Sequence, residues 1–172
     1  MIGVLALQGN FDSQVKILEK INLDHRLIKN TEDLNLLDGL ILPGGESTTI
    51  TNLLRKHKNM IDGINRLASK KPILGSCAGL ILMSKDSNDD RVHNFGFLDI
   101  STNRNAYGRQ VHSFEAKINV KYKKINSNIN SLFIRAPKVN RVEKHVEVLA
   151  TFNNEIVAVK QGKHIGLSCH PE

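Results

Sequence analysis

The sequence predicts an α/β fold: a three-layer sandwich around a central, mostly parallel sheet, with an antiparallel extension from the second half of the chain. Three observations carry this. From Ile2 to Ser84, short apolar runs alternate with amphipathic stretches, and strands alternating with helices build a parallel sheet covered on both faces. The apolar runs have no polar side, as expected of strands buried on both faces. Beyond that region helical spacing stops, and strand-like segments follow one another with Asn- and Gly-containing turns between them.

Ile2–Leu7 is a buried first strand. Phe11, Val15, Leu18 and Ile21 fall on one face of a helix with Asn10 as N-cap. His25–Lys29 makes a second short strand, and Thr31 caps a helical turn running to Leu37. Gly39–Leu42 is a third buried strand that ends abruptly in Pro43-Gly44-Gly45. Helical spacing returns over Thr48–Lys56 and Met60–Ser69, then Pro72–Gly75 reads as a buried strand and Ala78–Ser84 as the helix after it. Strands are expected at Phe97–Ser101, Val111–Val120, Leu132–Ile134, Val146–Phe152, Ile156–Lys160 and His164–Ser168. Asn153-Asn154 signals a tight hairpin, whereas Asn126–Asn130 reads as a polar loop. With no repeat and no linker, residues 1–172 are expected to form a single domain.

Composition narrows the class. At 172 residues, 40% hydrophobic and 24% charged, the chain is built like an ordinary globular protein and is long enough to bury a core without disulfides. Its two cysteines, Cys77 and Cys169, make no disulfide framework and read as cytosolic thiols. No window reaches the roughly 18 apolar residues of a membrane span. The apolar start lacks a basic flank and is broken by Gln8-Gly9-Asn10, so it reads as a strand and not as a leader. A cytoplasmic location is expected. The net charge of +7 is spread over scattered lysines, and aromatics are only 5% of the chain, so nucleic-acid binding is not expected. Paired Cys or His at metal-ligand spacing is absent from the sequence, and no metal site is expected.

The most specific local pattern is Gly75-Ser76-Cys77-Ala78-Gly79, between a buried strand and a helix. It is the thiol counterpart of the nucleophile elbow Gly-x-Ser-x-Gly. A strand turning sharply into a helix strains its corner residue, flanking glycines avoid clashes, and the side chain stands clear at the sheet's carboxyl edge. The helix N-terminus favours thiolate over thiol, and the Ala78 N–H is placed for an oxyanion. The competing reading of Cys77 is a small buried hydrophobe. A thiol nucleophile needs a base and an orienting group. Among the histidines, His25, His57, His93, His112, His145 and His164 lie in polar neighbourhoods and read as solvated surface. His170 instead follows an apolar strand end, in His170-Pro171-Glu172. In an extended segment residues i and i+2 project to one side, so Glu172 reaches the imidazole, and Pro171 favours that geometry. By the same alternation Cys169 faces the core. Pro43-Gly44-Gly45-Glu46-Ser47 lies at another strand's carboxyl end, where ligands bind in open α/β sheets. Its glycines suit N–H groups aimed into a cleft; a tight turn with Ser47 as N-cap fits the same residues.

The cysteine elbow, Pro-Gly-Gly-Glu-Ser and His-Pro-Glu resemble class I (triad-type) glutamine amidotransferases, of flavodoxin-like fold. Gly3–Gly9, Leu42–Thr49, Arg104–Gln110, Phe133–Pro137 and His170–Glu172 make the chain similar, over nearly its whole length, to the glutaminase subunits of pyridoxal 5′-phosphate synthase. The resemblance implies Cys77 as nucleophile, His170 as base and Glu172 as its orienter. It implies L-glutamine contacts from Gly44, Gly45, Glu46, Arg104, Ile134 and Arg135, with oxyanion N–H groups from Gly45 and Ala78. Arginine suits the substrate's α-carboxylate. No cofactor is implied. The implied partner is the synthase subunit, in a hetero-oligomeric complex that receives the ammonia, with Gln8-Gly9-Asn10 beside that partner. The sequence departs from the family at Asn10, where many relatives have Ala, and at Glu172, after which relatives continue into a further helix. A chain end at Glu172 is expected to add negative charge near His170 and favour the imidazolium. The rival readings are an amidotransferase serving another synthase, a Cys/His/Glu hydrolase of similar fold, and a non-catalytic regulatory subunit.

Overall fold

The computed structural model describes residues 1–104 and 113–172. The chain opens with β1 (Ile2–Leu5), α1 (Phe11–Lys20), β2 (His25–Ile28) and a 3-10 turn over Thr31–Leu34. β3 (Gly39–Leu42) leads into α2 (Ser47–Lys56) and α3 (Met60–Lys70), and β4 (Ile73–Ser76) leads into α4 (Ala78–Met83). The strands β5 (Ser84–Asp86), β6 (Leu98–Asn103), β7 (Phe114–Tyr122) and β8 (Ile125–Phe133) follow. β9 (Lys138–Val142), β10 (Glu147–Phe152), β11 (Glu155–Gln161) and β12 (His164–Leu167) complete the order.

Seven strands form the central sheet in the order β10-β11-β12-β4-β3-β1-β2. β2, β1, β3, β4 and β12 run parallel, and β11 and β10 add the antiparallel extension. Parallel strands need cover on both faces, and alternate residues supply it. Val4, Leu27, Ile41 and Leu74 pack with Phe11, Val15 and Leu18 of α1. Their neighbours Leu5, Ile28, Leu40, Leu42 and Ile73 pack with Ile50 and Leu54 of α2, Met60 and Ile64 of α3, and α4. α4 is buried all round, which is why it lacks an amphipathic period. Each fully buried Leu or Ile contributes roughly 1.5–3 kcal/mol, so the sheet is held most firmly along β1, β3 and β4. A further apolar cluster joins Ile118 and Phe133 of the β7–β8 ribbon to Leu149, Val157, Ala158 and Cys169. No helix among the described residues is long and apolar enough to cross a membrane.

The α/β architecture read from the sequence is the one observed, with shifts of a few residues at element ends. The Asn126–Asn130 stretch, expected as a loop, instead lies in β8, paired residue by residue with β7. Asn119 donates to Asn126 Oδ1 and Asn128 Oδ1 across the ladder at 2.7 and 3.0 Å, so a partner strand satisfies amides that in isolation favour turns. The reversal sits at Lys123-Lys124, with Lys123 at φ 52, where no Gly or Asn marks it. β5 and β9 were not anticipated; β5 has three residues, and β9 buries only Val139. Asn30, not Thr31, precedes the 3-10 turn, and the Asp33 carboxylate accepts the Lys29 and Asn30 N–H groups at 2.9 Å. His93 and His164, expected at the surface, are half-buried in an aromatic row with Phe95 and Phe97, and burial pushes both imidazoles below their usual pKa. The strand start Val111 and His112 lie outside the described residues.

The Asn153-Asn154 hairpin joins β10 to β11, with both asparagines left-handed at φ 48 and 63. This is the primed-turn geometry that Asn tolerates and β-branched residues do not. Asn154→Val is therefore expected to destabilise the fold by about 1–2 kcal/mol, with Asn154→Gly near neutral, as measured by urea unfolding.

Candidate active site

Loops leaving the carboxyl ends of β1, β3, β4 and β12, adjacent in the sheet, converge on one cleft. At the β4–α4 corner Cys77 adopts φ 49 and ψ −103, a conformation that an L-residue holds only when its surroundings enforce it. Its N–H donates to Leu167 O of β12 at 2.8 Å. A Cβ on Gly75 would stand 2.5 Å from Met83 Sδ, and one on Gly79 would overlap the Leu42 carbonyl oxygen. The corner therefore closes only because both flanking positions lack a side chain. The Cys77 side chain borders the cleft, with Sγ 4.0 Å from the Ile134 carbonyl oxygen.

His170 lies just past the end of β12. Its N–H donates to Leu132 O, and its carbonyl accepts from the Leu132 N–H, both at 2.8 Å. Its Nδ1 is 2.9 Å from Glu172 Oε1, whose side chain is only 2% exposed. Burial disfavours the imidazolium, but hydrogen bonds and negative charge from Cys77 and Glu172 outweigh it and push His170 up to about 10. Cys169, next in the chain, is fully buried in the cluster beneath the ribbon, and burial raises its thiol. Its side chain faces away from His170, as strand alternation requires.

The third wall is the Gly44–Ser47 loop. Gly44 and Gly45 do not use positive φ; the reason for glycine here is space. A Cβ on Gly44 would overlap His170 Cε1, and one on Gly45 would stand 2.7 Å from Gln8 Oε1. Gln8 braces the loop by accepting the Glu46 N–H at 2.9 Å, and Asn10 N–H donates to Gly44 O at 2.8 Å. The helix cap expected at Ser47 falls instead on Glu46, with Thr48 Oγ1 donating to its carboxylate at 3.1 Å.

These walls enclose a cavity of about 510 Å³ lined by Gly44, Gly45, Glu46, Cys77, Arg104, Ile134, Arg135 and His170, together with Gln8, Asn10, Ser47 and Ile81. That volume suits a small molecule. Glu172 stands behind His170, and Ala78 opens α4, where its N–H has no partner within the helix. Arg104 is already engaged: its guanidinium donates to Asp89 Oδ2 at 2.6 Å and to Glu46 Oε1. Arg91 first, and then Arg104, hold the Asp89 carboxyl well below its usual range. Five guanidinium donors leave Arg104 capacity for a further anion. The rest of its motif, Asn105–Gln110, lies outside the described residues. A larger hollow of about 670 Å³, between the Thr31–Asp38 segment and α3, shares none of these residues. Sequence reading missed the brace role of Gln8, the Asp89 partner of Arg104, and Leu132. Gln8 had a signal in its position at the end of β1; Leu132 acts through backbone, which no side-chain pattern records.

A strained cysteine at a strand–helix corner, facing a buried His–Glu pair across the carboxyl edge of a parallel sheet, defines the class: a triad-type glutamine amidotransferase fold. Comparison with known proteins sharpens this, because the sequence model of the SNO glutamine amidotransferase family matches residues 4–172. The chain belongs to the SNO glutamine amidotransferase family. The pyridoxal 5′-phosphate synthase subunit PdxT of Oenococcus oeni is 43% identical over 171 residues, covering 99% of this chain and 88% of that protein. The same subunit from Staphylococcus haemolyticus is 44% identical over 173 residues, covering 99% and 90%. A crystal structure of a glutamine amidotransferase superposes with a TM-score of 0.91 at 36% identity, over 99% of this chain and 89% of that one. PurLQS from Thermotoga maritima, at 17% identity and a TM-score of 0.70 over 99% and 86%, shares the fold.

Two outcomes follow from this geometry. Removing either anionic partner withdraws a group that favours the cation, so Cys77→Ala and Glu172→Gln each lower the His170 pKa from near 10, as read from its imidazole resonances during a pH titration. Gly44→Ala places a methyl group where the His170 ring stands. Alkylation of Cys77 at neutral pH is then expected to slow by about tenfold or more, because the displaced imidazole no longer stands beside the sulfur.

Proposed function

We propose that this chain hydrolyses L-glutamine to L-glutamate and ammonia through a cysteine thioester, and delivers the ammonia to the synthase subunit of a pyridoxal 5′-phosphate synthase. The observation that carries the reading is that Cys77 and His170 line one cavity, with His170 Nδ1 2.9 Å from Glu172 Oε1, and that the same cavity presents Gly45, Glu46 and Arg104. The Cys77 thiolate attacks the side-chain amide carbon of glutamine. The new oxyanion accepts hydrogen bonds from the N–H groups of Gly45 and Ala78. His170 gives its proton to the departing nitrogen as the C–N bond breaks, releasing ammonia and leaving the γ-glutamyl thioester. It then takes a proton from water, which attacks the thioester; glutamate leaves and the thiolate returns. Glu172 holds the imidazole in the orientation that both transfers need. Glu46, Arg104, Ile134 and Arg135 hold the substrate, the arginines facing its α-carboxylate.

The synthase partner is supported by the near full-length likeness to PdxT subunits, and a cytoplasmic location goes with it. Gln8-Gly9-Asn10 is the segment proposed to meet the partner. Asn10 is exposed, Gly9 sits at φ 105, and Gln8 grips the Glu46 N–H, so docking there can reset the backbone that carries the Gly45 donor.

Mixed with its synthase subunit, the chain is expected to support pyridoxal 5′-phosphate formation from glutamine. Cys77→Ala abolishes glutamine-driven formation while leaving formation from added ammonium salts intact. Product formed only with ammonium salts by the wild type would sink the coupling, and release of amino acids from peptides but not of glutamate from glutamine would sink the substrate.

A further inference from the structure

We propose that the β7–β8 ribbon is the positioning element for His170, and that Phe114, stacked at the ribbon's base, is the positioning residue that holds it in place. The proposal rests on the glutaminase reading above and assigns a role outside the cavity.

His170 lies beyond the reach of the central ladder. The last β12 pairings are Leu167 with Ala158 and with Ser76, followed by the Ser168 N–H donating to Val157 O at 2.9 Å. Both backbone hydrogen bonds of His170 then go to Leu132. Leu132 belongs to β8, whose ladder among the described residues is with β7 in a separate two-stranded sheet. The base of the triad is thus held by the ribbon and not by the sheet that carries Cys77.

A two-stranded ribbon is marginal by itself, so its docking decides where His170 sits. Beside the apolar cluster of Ile118, Leu149, Val157 and Cys169, three rings make the part of that docking next to Leu132. Phe114 and Phe133, opposite each other in the register, stack at 4.9 Å with planes 4° apart. Both rings also meet Phe152 at the end of β10, Phe133 at 5.4 Å and Phe114 at 5.8 Å. Phe133 follows Leu132 directly and precedes Ile134, whose carbonyl faces Cys77 Sγ. A shift of this stack therefore moves the His170 backbone and one cavity wall together. Phe133 is core at 3% exposure, whereas Phe114 is 38% exposed, so removing the Phe114 ring loosens the stack without opening a sealed void.

The test measures glutaminase turnover of the chain with its synthase subunit, together with the pH profile of Cys77 alkylation by an electrophilic glutamine analogue. In Phe114→Ala, kcat is expected to fall by about tenfold, since sub-ångström misplacement of a catalytic base carries such costs. The alkylation profile changes with it, with slower reaction at neutral pH, because the displaced imidazole no longer stands beside the sulfur. Phe114→Tyr keeps the ring and restores both; Phe114→Leu keeps apolar bulk without the ring and behaves as the alanine variant even if that variant folds poorly. Wild-type kcat and alkylation profile in the leucine variant, whatever its melting temperature, overturn the proposal, as does a loss that tyrosine does not restore. If the wild-type complex releases no glutamate from glutamine, the glutaminase reading fails, and the alkylation profiles alone still decide the positioning role.

Discussion

The arrangement depends on one strained corner, where β4 turns into α4 and leaves Cys77 at φ 49. A non-glycine residue in such a conformation costs about 1–3 kcal/mol, and persists only if its surroundings over-determine it. Here they do so from both sides. β4 lies between β3 and β12 in the parallel sheet, and α4 is buried along its full length. The two glycines remove the remaining obstacle, since side chains at 75 or 79 would strike Met83 or the backbone of β3. The strain places a buried thiol on the wall of the cavity.

The same economy of space governs the groups around it. Gly44 lies against the imidazole and Gly45 against Gln8, so two loops and a ring approach more closely than any side chain would permit. Close approach has an electrostatic consequence. His170 is sheltered from water, which alone would depress its basicity, yet hydrogen bonding and charge from Cys77 and Glu172 drive it the other way. In the proposed reaction, a buried imidazole that holds its proton is suited to protonate a leaving amine, and loss of negative charge at sulfur on acylation would free it to accept one from water.

The proposed nucleophile and the proposed base are held by different parts of the molecule. Cys77 follows β4 in the most buried part of the central sheet, whereas His170 hangs by its backbone from a ribbon anchored through an apolar cluster and three phenylalanine rings. Local stability differs between such units, so the mutual geometry of the pair is sensitive to docking events that leave the parallel sheet unchanged.

Much of this was legible in the residues themselves. The parallel half of the sheet was readable because strands buried on both faces must be apolar throughout, and helices between them must show a 3.6-residue period. The elbow was readable because a sharp strand–helix corner demands glycines at fixed offsets from its nucleophile. His170 and Glu172 were readable because extended backbone sends alternate residues to one side. What the sequence left hidden depends on partners distant in the chain. Asn126–Asn130 became strand because β7 lies beside it, and two strands of three and five residues exist only through pairing. Gly44 and Gly45 were read as sources of backbone freedom, and the fold uses them for clearance against His170 and Gln8. Arg104, read as a ligand for a carboxylate, is also locked to Asp89 and Glu46. The bond that suspends His170 from Leu132 is made by main-chain atoms common to nearly every residue. Side-chain chemistry is therefore determined in the sequence, and the distances that make it a site are decided only when the chain closes on itself.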